Sequence, residues 1–164
     1  MRNEKLRGAF ENLDFQHVQT VISSGNVLFE TGDKDIQTLE ATIEKALSAQ
    51  LGFTSTTIIR SHEQMQALVD TNPFEGLADT QASRLNVTFL KHPPDTTLPF
   101  PYRPENKPYE LLGLYDGAIC SVIDLTSAKT PDLMSWFEKQ FGKEITTRTW
   151  KTVGRILKKL NDSE

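Results

Sequence analysis

The fold is decided by the stretch His17-Val-Gln-Thr-Val-Ile-Ser-Ser-Gly-Asn-Val-Leu-Phe29. Two short apolar runs, Val18 to Ile22 and Val27 to Phe29, flank the residues Ser23-Ser24-Gly25-Asn26. A tight Gly-Asn corner between β-forming residues is a strong local signal for a hairpin. The stretch therefore predicts an antiparallel β-hairpin, and the neighbouring elements are ordered around it.

Helices are predicted on both sides of this hairpin. Asn3 can cap a first helix that runs to about Leu13, because apolar residues recur there at helical spacing. An aspartate after the hairpin caps a second helix, and Gly52 stands at its expected end. The segment from Thr54 to Arg60 is rich in β-branched residues, so it is predicted to be a strand.

The first 60 residues thus have the order helix, strand, strand, helix, strand. This is the split βαβ plait, β-α-β-β-α-β, without its first strand. In that plait the first strand lies inside the sheet, so its absence would open the core. We expect either that a later strand fills the position or that the natural polypeptide continues upstream of Met1, beyond a late-assigned start codon or an expression boundary. An open sheet edge would also permit dimerisation.

The second half begins with a helix and a strand. Ser61 and Gln64 form a capping box for a short helix. From Leu85 to Phe89 apolar residues alternate with Asn86 and Thr88, which predicts a half-buried strand. Six of the eight prolines lie in residues 91–108, so this segment is predicted to be an irregular crossover without helix or paired strand.

The remaining elements are defined by their turns and caps. Asp116-Gly117 joins two strands into a second hairpin. Thr130-Pro131 opens a helix that stops at Gly142, a short strand covers Ile145 to Arg148, and Thr149 caps a final helix.

These elements predict an α+β fold, namely a ferredoxin-like α/β plait with a largely antiparallel sheet. Two ferredoxin-like halves are one arrangement that the pattern allows. We expect residues 1–164 to form a single domain, with one sub-unit over 1–60 and a second over 61–164 that contains the crossover 91–108.

Composition limits the functional classes. The formal charge of −4 provides no overall attraction to nucleic acid or an anionic membrane, so such binding would need a local patch. The single cysteine, Cys120, can form no internal disulfide, which suits a reducing compartment. No apolar run has the length of a membrane span, and the first residues lack the apolar core of a signal peptide. We predict a cytoplasmic location and no membrane contact.

The final predicted helix carries a basic face. Its cations Lys151, Arg155, Lys158 and Lys159 fall within an arc of about 100° when residues are placed 100° apart, and Arg148 precedes them. These five residues are a candidate surface for nucleic acid or a phosphorylated ligand. The alternative is an ordinary solvated helix face whose last lysines complement the helix dipole.

The Ser23-Ser24-Gly25-Asn26 corner is a second candidate site, for a small ligand. Its hydroxyls, amide and backbone N–H groups could bind an anion as a nest, with Arg148 and Lys151 as further ligand contacts. The alternative is that the corner only meets the need for positive φ in a turn.

No catalytic or metal-binding signature is present in the sequence. His17, His62 and His92 show no metal-ligand spacing with one another or with Cys120. The chain also lacks a G-x-S-x-G elbow and a phosphate-binding glycine loop. No cofactor or metal is therefore predicted, and an enzyme is less expected than a binding protein.

Three motifs together carry a family resemblance. They are Val21-Ile22-Ser23-Ser24-Gly25-Asn26-Val27-Leu28-Phe29, Asn72-Pro73-Phe74, and Thr146-Thr147-Arg148-Thr149-Trp150-Lys151-Thr152-Val153. The chain resembles the bacterial domain of unknown function DUF1697. The resemblance implies an α/β plait built from ferredoxin-like units and implies no established activity.

The chain departs from the family pattern at two places. Members usually open with a strand and a loop of the kind A-L-L-R-G-I-N-V-G-G, whereas Met1 occupies the helix-start position here. The late motif usually reads R-N-W-N-T-V, and both asparagines are replaced, by Thr149 and Lys151. The first departure agrees with the gap inferred from the element order.

Three functions follow in order of preference. The first is a non-catalytic module that binds a small ligand or a protein. The second is binding of nucleic acid or a phosphorylated ligand through the basic final helix. The third is an enzyme without a recognised signature, which would need titratable groups that converge in a pocket.

Overall fold

The computed structural model describes residues 3–21, 25–33, 35–52, 54–127 and 132–162. In these ranges the elements are α1 (Asn3–Glu11), β1 (Gln16–Val21), β2 (Asn26–Glu30), α2 (Ile36–Leu51), α3 (His62–Asp70), β3 (Ser83–Leu90), β4 (Tyr109–Tyr115), β5 (Ala118–Asp124), α4 (Leu133–Phe141), β6 (Ile145–Thr149) and α5 (Trp150–Asp162). All strand pairs are antiparallel, so the predicted α+β fold is confirmed.

The chain divides into two compact units. Unit 1 comprises Met1–Arg60 and Lys158–Glu164, and unit 2 comprises Ser61–Leu157. The division falls inside α5, whose helix continues from Trp150 to Asp162.

The predicted first hairpin is present in unit 1. β1 pairs with β2, and Val21 lies opposite Asn26, so the connection is four residues long rather than a two-residue corner. Asn26 already belongs to β2, and its Nδ2 donates to the carbonyl oxygen of Val21 over 3.1 Å. Gly25 precedes it with φ of +80°, a conformation that glycine adopts without steric cost.

The core of unit 1 joins α1 and α2 to the hairpin. Its buried residues are Leu6, Ala9, Phe10, Ile43 and Leu47. Phe10, Phe15 and Phe29 form an aromatic group in which the Phe15 and Phe29 ring centroids lie 4.4 Å apart. Ile59 also packs against this cluster, so the segment after α2 returns to the same core.

The prediction of a strand over Thr54 to Arg60 is wrong. Among the described residues the sheet of unit 1 contains only β1 and β2, and no later strand joins it. The N–H groups of Thr57 and Ile59 instead donate to Glu44 Oε2 and Glu40 Oε2, each over 2.9 Å. Two carboxylates of α2 therefore accept the hydrogen bonds that the carbonyl groups of a neighbouring strand would otherwise accept. Glu40 is only 3% exposed, so its hydrogen bond to Ile59 is shielded from water.

Predicted helix caps are present at several helix starts. Asp35 accepts from the N–H of Thr38 at the start of α2. Ser61 and Gln64 form a complete capping box at α3. Thr149 accepts from the N–H of Thr152 at α5. The predicted Thr130-Pro131 start of α4 lies outside the described residues.

Unit 2 contains a four-stranded sheet in the order β4-β5-β3-β6. Its first strand, β3, lies inside the sheet between β5 and β6, as the first strand of a split βαβ plait does. Asp116 and Gly117 join β4 to β5 with φ of 48° and 77°. Positive φ at both central residues characterises the type I′ turn, which confirms the second hairpin.

The prediction that β3 is half-buried is wrong, because both of its faces are covered. All six residues from Leu85 to Leu90 are buried. Asn86 is 5% exposed and Thr88 is fully buried, although the alternation of polar and apolar residues indicated a solvent-facing side.

The proline-rich segment 91–108 contains no helix and no ladder strand, as predicted. Tyr102 forms an isolated antiparallel bridge with Leu111, with hydrogen bonds of 2.8 and 2.7 Å in the two directions. Phe100 and Tyr102 pack against a cluster that includes Ile119, Ile123 and the α4 residues Leu133 and Phe137. The crossover is thereby attached to the same sheet face as α4.

Replacement of Glu40 tests the contact between α2 and the segment after it. Glu40→Leu removes the acceptor of the Ile59 N–H, and an unsatisfied buried donor costs about 1–3 kcal/mol of unfolding free energy. Glu40→Gln keeps an acceptor oxygen, so we expect it to cost less than Glu40→Leu. Urea unfolding of both variants measures the difference. Equal stability of the two variants would show that this hydrogen bond contributes nothing.

Candidate functional site

A row of polar side chains crosses one face of the unit 2 sheet. In β3, Asn86 lies directly opposite Thr149 of β6 and Ser121 of β5. One step along, Thr88 lies opposite Thr147. Side chains of directly opposed residues point to the same face of a sheet, so this face carries a polar row inside a buried sheet.

The same face is covered by α4. Leu133 and Phe137 of α4 pack in one cluster with Leu90, Ile119 and Ile123 of the sheet. The start of α4 borders a cavity of about 360 Å³, which we call the α4 cavity. It is lined by Arg84, Asn86, Ile123, Asp132, Leu133, Met134, Ser135, Thr147 and Thr149.

Asn86 is the buried polar residue of this cavity. It is 5% exposed, and its side-chain amide makes no hydrogen bond within the described part of the chain. Ser121, its neighbour across the sheet, is fully buried, and its Oγ also lacks a partner there. Burying a hydroxyl such as that of Ser121 without a hydrogen bond is costly. The Asn86 amide differs from it because it lines the α4 cavity, where a bound molecule can reach it.

The other hydroxyls of the cavity lining have partners. Thr147 Oγ1 donates to the sulfur of Met134 and lies 2.8 Å from Thr88 Oγ1, so Thr88 is the donor in that pair. Thr149 Oγ1 donates to Thr152 Oγ1 over 3.0 Å. These hydrogen bonds connect β6 to β3, to the first turn of α4 and to the start of α5 along the cavity lining.

The first turn of α4 has no side-chain cap. Asp132 occupies the N-cap position, but its carboxylate makes no hydrogen bond to the helix N–H groups. The first N–H groups of a helix have no partner inside the helix. The residues of this turn, Leu133, Met134 and Ser135, all line the α4 cavity.

Asp132 is instead bound to two side chains outside α4. Its carboxylate accepts from Lys107 Nζ and, over 3.0 Å, from Tyr109 Oη. The hydrogen bond from Lys107, with a further one from Tyr109, holds the pKa of Asp132 below its ordinary value. Burial, assisted by Asp132, raises the pKa of Tyr109. Asp132 is therefore an ionised carboxylate whose charge is compensated by Lys107.

The residues of the Ser-Gly-Asn corner are only partly described. Ser23 and Ser24 lie outside the described residues. Gly25 is exposed, and the side-chain amide of Asn26 donates a hydrogen bond to the carbonyl oxygen of Val21. The corner belongs to unit 1 and stays a prediction as a ligand site.

Arg148 is placed differently from the other predicted cations. It is half-buried on β6, where its guanidinium donates to Thr146 Oγ1 and to the carbonyl oxygen of Thr147. Burial lowers its pKa. The cations Lys151, Arg155, Lys158 and Lys159 are all exposed on α5. The helix therefore presents four of the five predicted basic residues to solvent.

Sequence reasoning missed the α4 cavity. None of its lining residues was predicted as a site, because the alternation of Arg84, Asn86 and Thr88 indicated an ordinary solvent face. The only local signal was the pair of alternate polar residues, Asn86 and Thr88, on what became a central strand.

Metal and membrane features are absent from the described ranges. They hold no group of three or more His, Cys, Asp or Glu residues able to bind a metal ion. None of the helices in the same ranges combines the length and apolar character needed to cross a bilayer.

Comparison with known proteins places the chain in a family. Residues 1–119 match the family described as a protein of unknown function, DUF1697, and the chain belongs to it. The resemblance stated from the sequence motifs is thereby confirmed, although the Thr146–Val153 motif lies beyond the matched residues.

A solved structure shares the fold. It is the conserved bacterial protein SP0830 from Streptococcus pneumoniae, with a TM-score of 0.71 and 21% sequence identity. The similarity covers 98% of this chain and 89% of that one. No curated protein matches the chain.

Replacement of Lys107 tests the charge compensation at Asp132. Lys107→Gln removes the largest cause of the lowered pKa, so we expect the pKa of Asp132 to rise toward its ordinary value. Tyr109→Phe should raise it less. Because a lowered folded-state pKa stabilises above the unfolded value, the wild type should lose this contribution as pH falls through the pKa of Asp132. A carboxyl-carbon NMR titration measures the pKa, and an unchanged value in Lys107→Gln would contradict the assignment.

Proposed function

We propose that this protein is a non-catalytic binding module whose α4 cavity takes a small polar ligand. The observation that carries the proposal is Asn86, a buried amide that lines the cavity without a hydrogen-bond partner in the described chain. An amide that faces a cavity and makes no hydrogen bond to the described chain is available to bond to a ligand there.

The dimensions of the α4 cavity support a small ligand. Its volume of about 360 Å³ lies at the lower end of the range of ligand sites. Polar residues line one part, while Ile123, Leu133 and Met134 provide apolar contact area. A few polar groups in a partly apolar cavity are typical of binding sites for small molecules.

The chemistry of the lining supports binding rather than catalysis. Arg84 and Asp132 are the ionisable side chains of the lining, and Asp132 is bound to Lys107 and Tyr109. A general base or activated nucleophile needs a titratable group within reach of the reacting atom. The hydroxyl of Ser135 has no histidine or free carboxylate beside it in this lining.

Substitution of Asn86 separates a binding role from a structural role. Asn86→Leu removes an amide that makes no hydrogen bond within the described chain, so we expect the ligand-free variant to be at least as stable as the wild type. Urea unfolding measures this change. A destabilised Asn86→Leu variant would show that the amide supports the fold instead.

Ligand binding is measured by NMR on the wild type and on Asn86→Leu. A mixed set of small amides, sugars, carboxylates and phosphate monoesters is titrated while the Met134 and Ser135 backbone amides, and in the wild type the Asn86 side-chain amide, are followed. We expect at least one class to shift these signals saturably, and Asn86→Leu to weaken its binding. Asn12→Leu, at an exposed asparagine of unit 1, is the matched control. If no class of compound shifts the NMR signals of the cavity residues, the proposed binding function is wrong.

A second function is favoured by the four exposed cations of α5. Lys151, Arg155, Lys158 and Lys159 provide a basic surface for nucleic acid or a phosphorylated ligand in a chain that is otherwise acidic. Arg148 is expected to contribute less, because its guanidinium is bound to β6. We keep the predicted cytoplasmic location for both functions, since the one thiol, Cys120, is buried and free.

Salt dependence tests this second function. If α5 binds phosphates, the affinity for a single-stranded oligonucleotide should fall steeply with salt, because each phosphate contact releases a counterion. Lys151→Ala and Arg155→Ala should each reduce the slope of log K against log salt by about one. Lys45→Ala, on α2, is the control. Affinity that does not respond to salt would exclude an electrostatic nucleic-acid surface.

A further inference from the structure

We infer that the ligand of the α4 cavity carries an oxyanion, held between Arg84 and the first turn of α4. This inference rests on the proposed binding function and specifies its chemical class. It combines the uncapped start of α4 with a separate observation, the unpartnered buried amide of Asn86 in the same lining.

The charges around the cavity favour an anion. Asp132 contributes one negative charge, but the Lys107 ammonium compensates it directly. Arg84 is exposed and forms no ion pair in the described part of the chain. The start of a helix adds a partial positive charge equivalent to about half an elementary charge. The local balance is therefore positive in a chain whose net charge is negative.

The hydrogen-bonding groups also favour an acceptor-rich ligand. Arg84 offers a planar fork of donors that matches the two oxygens of a carboxylate or phosphate. Asn86 adds an amide N–H₂, Ser135 a hydroxyl, and the first turn of α4 the N–H groups that have no partner inside the helix. The one carboxylate of the lining, on Asp132, is already bound. A cationic ligand would meet Arg84 and find no free carboxylate.

The size of the cavity indicates an organic body attached to the oxyanion. The cavity volume of about 360 Å³ is larger than a carboxylate or phosphate group alone requires, and Ile123, Leu133 and Met134 offer apolar surface for an attached organic body. The ligand class is therefore a small organic acid or a phosphate monoester.

Matched charged and neutral probes test the inference on the full chain. Butyrate, methyl phosphate and the neutral isostere butyramide are titrated while the backbone amides of Met134 and Ser135 are followed by NMR. We expect one or both anions to bind at least tenfold more tightly than butyramide. The relative affinity of butyrate and methyl phosphate distinguishes a carboxylate from a phosphate ligand.

Variants of Arg84 test whether its guanidinium group binds the anion. Arg84→Gln should weaken anion binding about tenfold, whereas Arg84→Lys should retain part of it, because the charge remains without the fork. Arg103→Gln removes an exposed charge of unit 2 outside the cavity lining and should have little effect. Circular dichroism and thermal unfolding confirm that each variant is folded.

The outcomes separate this inference from the proposed function. If butyramide or another neutral compound binds as well as the anions, and Arg84→Gln changes nothing, the oxyanion inference is overturned and the binding function stands. If neither anion shifts the cavity amides at concentrations up to tens of millimolar, the inference fails as well. If no compound of any class shifts them, both proposals fail together.

Discussion

The position of β3 is the constraint on which the structure of unit 2 depends. Its backbone is hydrogen-bonded to β5 on one edge and to β6 on the other. Its residues from Leu85 to Leu90 are buried on both faces. A strand held in this way has no freedom to rotate or slip, because a shift of one residue would exchange its two faces. This register determines which β3 residues form the polar row, which pack against α4 and which line the α4 cavity.

The polar row contains both satisfied and unsatisfied groups. Thr88 is fully buried and donates to Thr147, so the fold compensates its desolvation. Asn86, two residues earlier on the same strand, has no such partner in the described chain. The difference arises because α4 covers one part of the row closely and leaves a cavity beside its first turn. One strand face therefore carries both a hydrogen-bonded buried pair and the amide that lines the candidate binding site.

Local features of the fold could be predicted from the sequence because their causes are local. The Asp116-Gly117 turn needs positive φ at both positions, and the capping box of Ser61 and Gln64 needs only residues three apart. Such features depend on neighbours along the chain, so they are visible in the sequence. Amphipathic spacing likewise predicted the exposed cations of α5.

Features that depend on distant partners were predicted poorly. The segment Thr54 to Arg60 has β-forming residues, yet a strand needs another strand, and here Glu40 and Glu44 accept its N–H groups instead. The α4 cavity could not be predicted either, because a cavity is formed by elements far apart in sequence.

By itself the sequence determined the family, the α+β class, both hairpins, most helix limits and the basic face of α5. The tertiary structure alone decided that β3 is central, that Asn86 and Thr88 are buried, and that Asp132 binds Lys107 and Tyr109 instead of capping α4. The physical reason is that propensity and periodicity describe one segment and its local environment. Burial and hydrogen-bond satisfaction are properties of several segments after they have packed together.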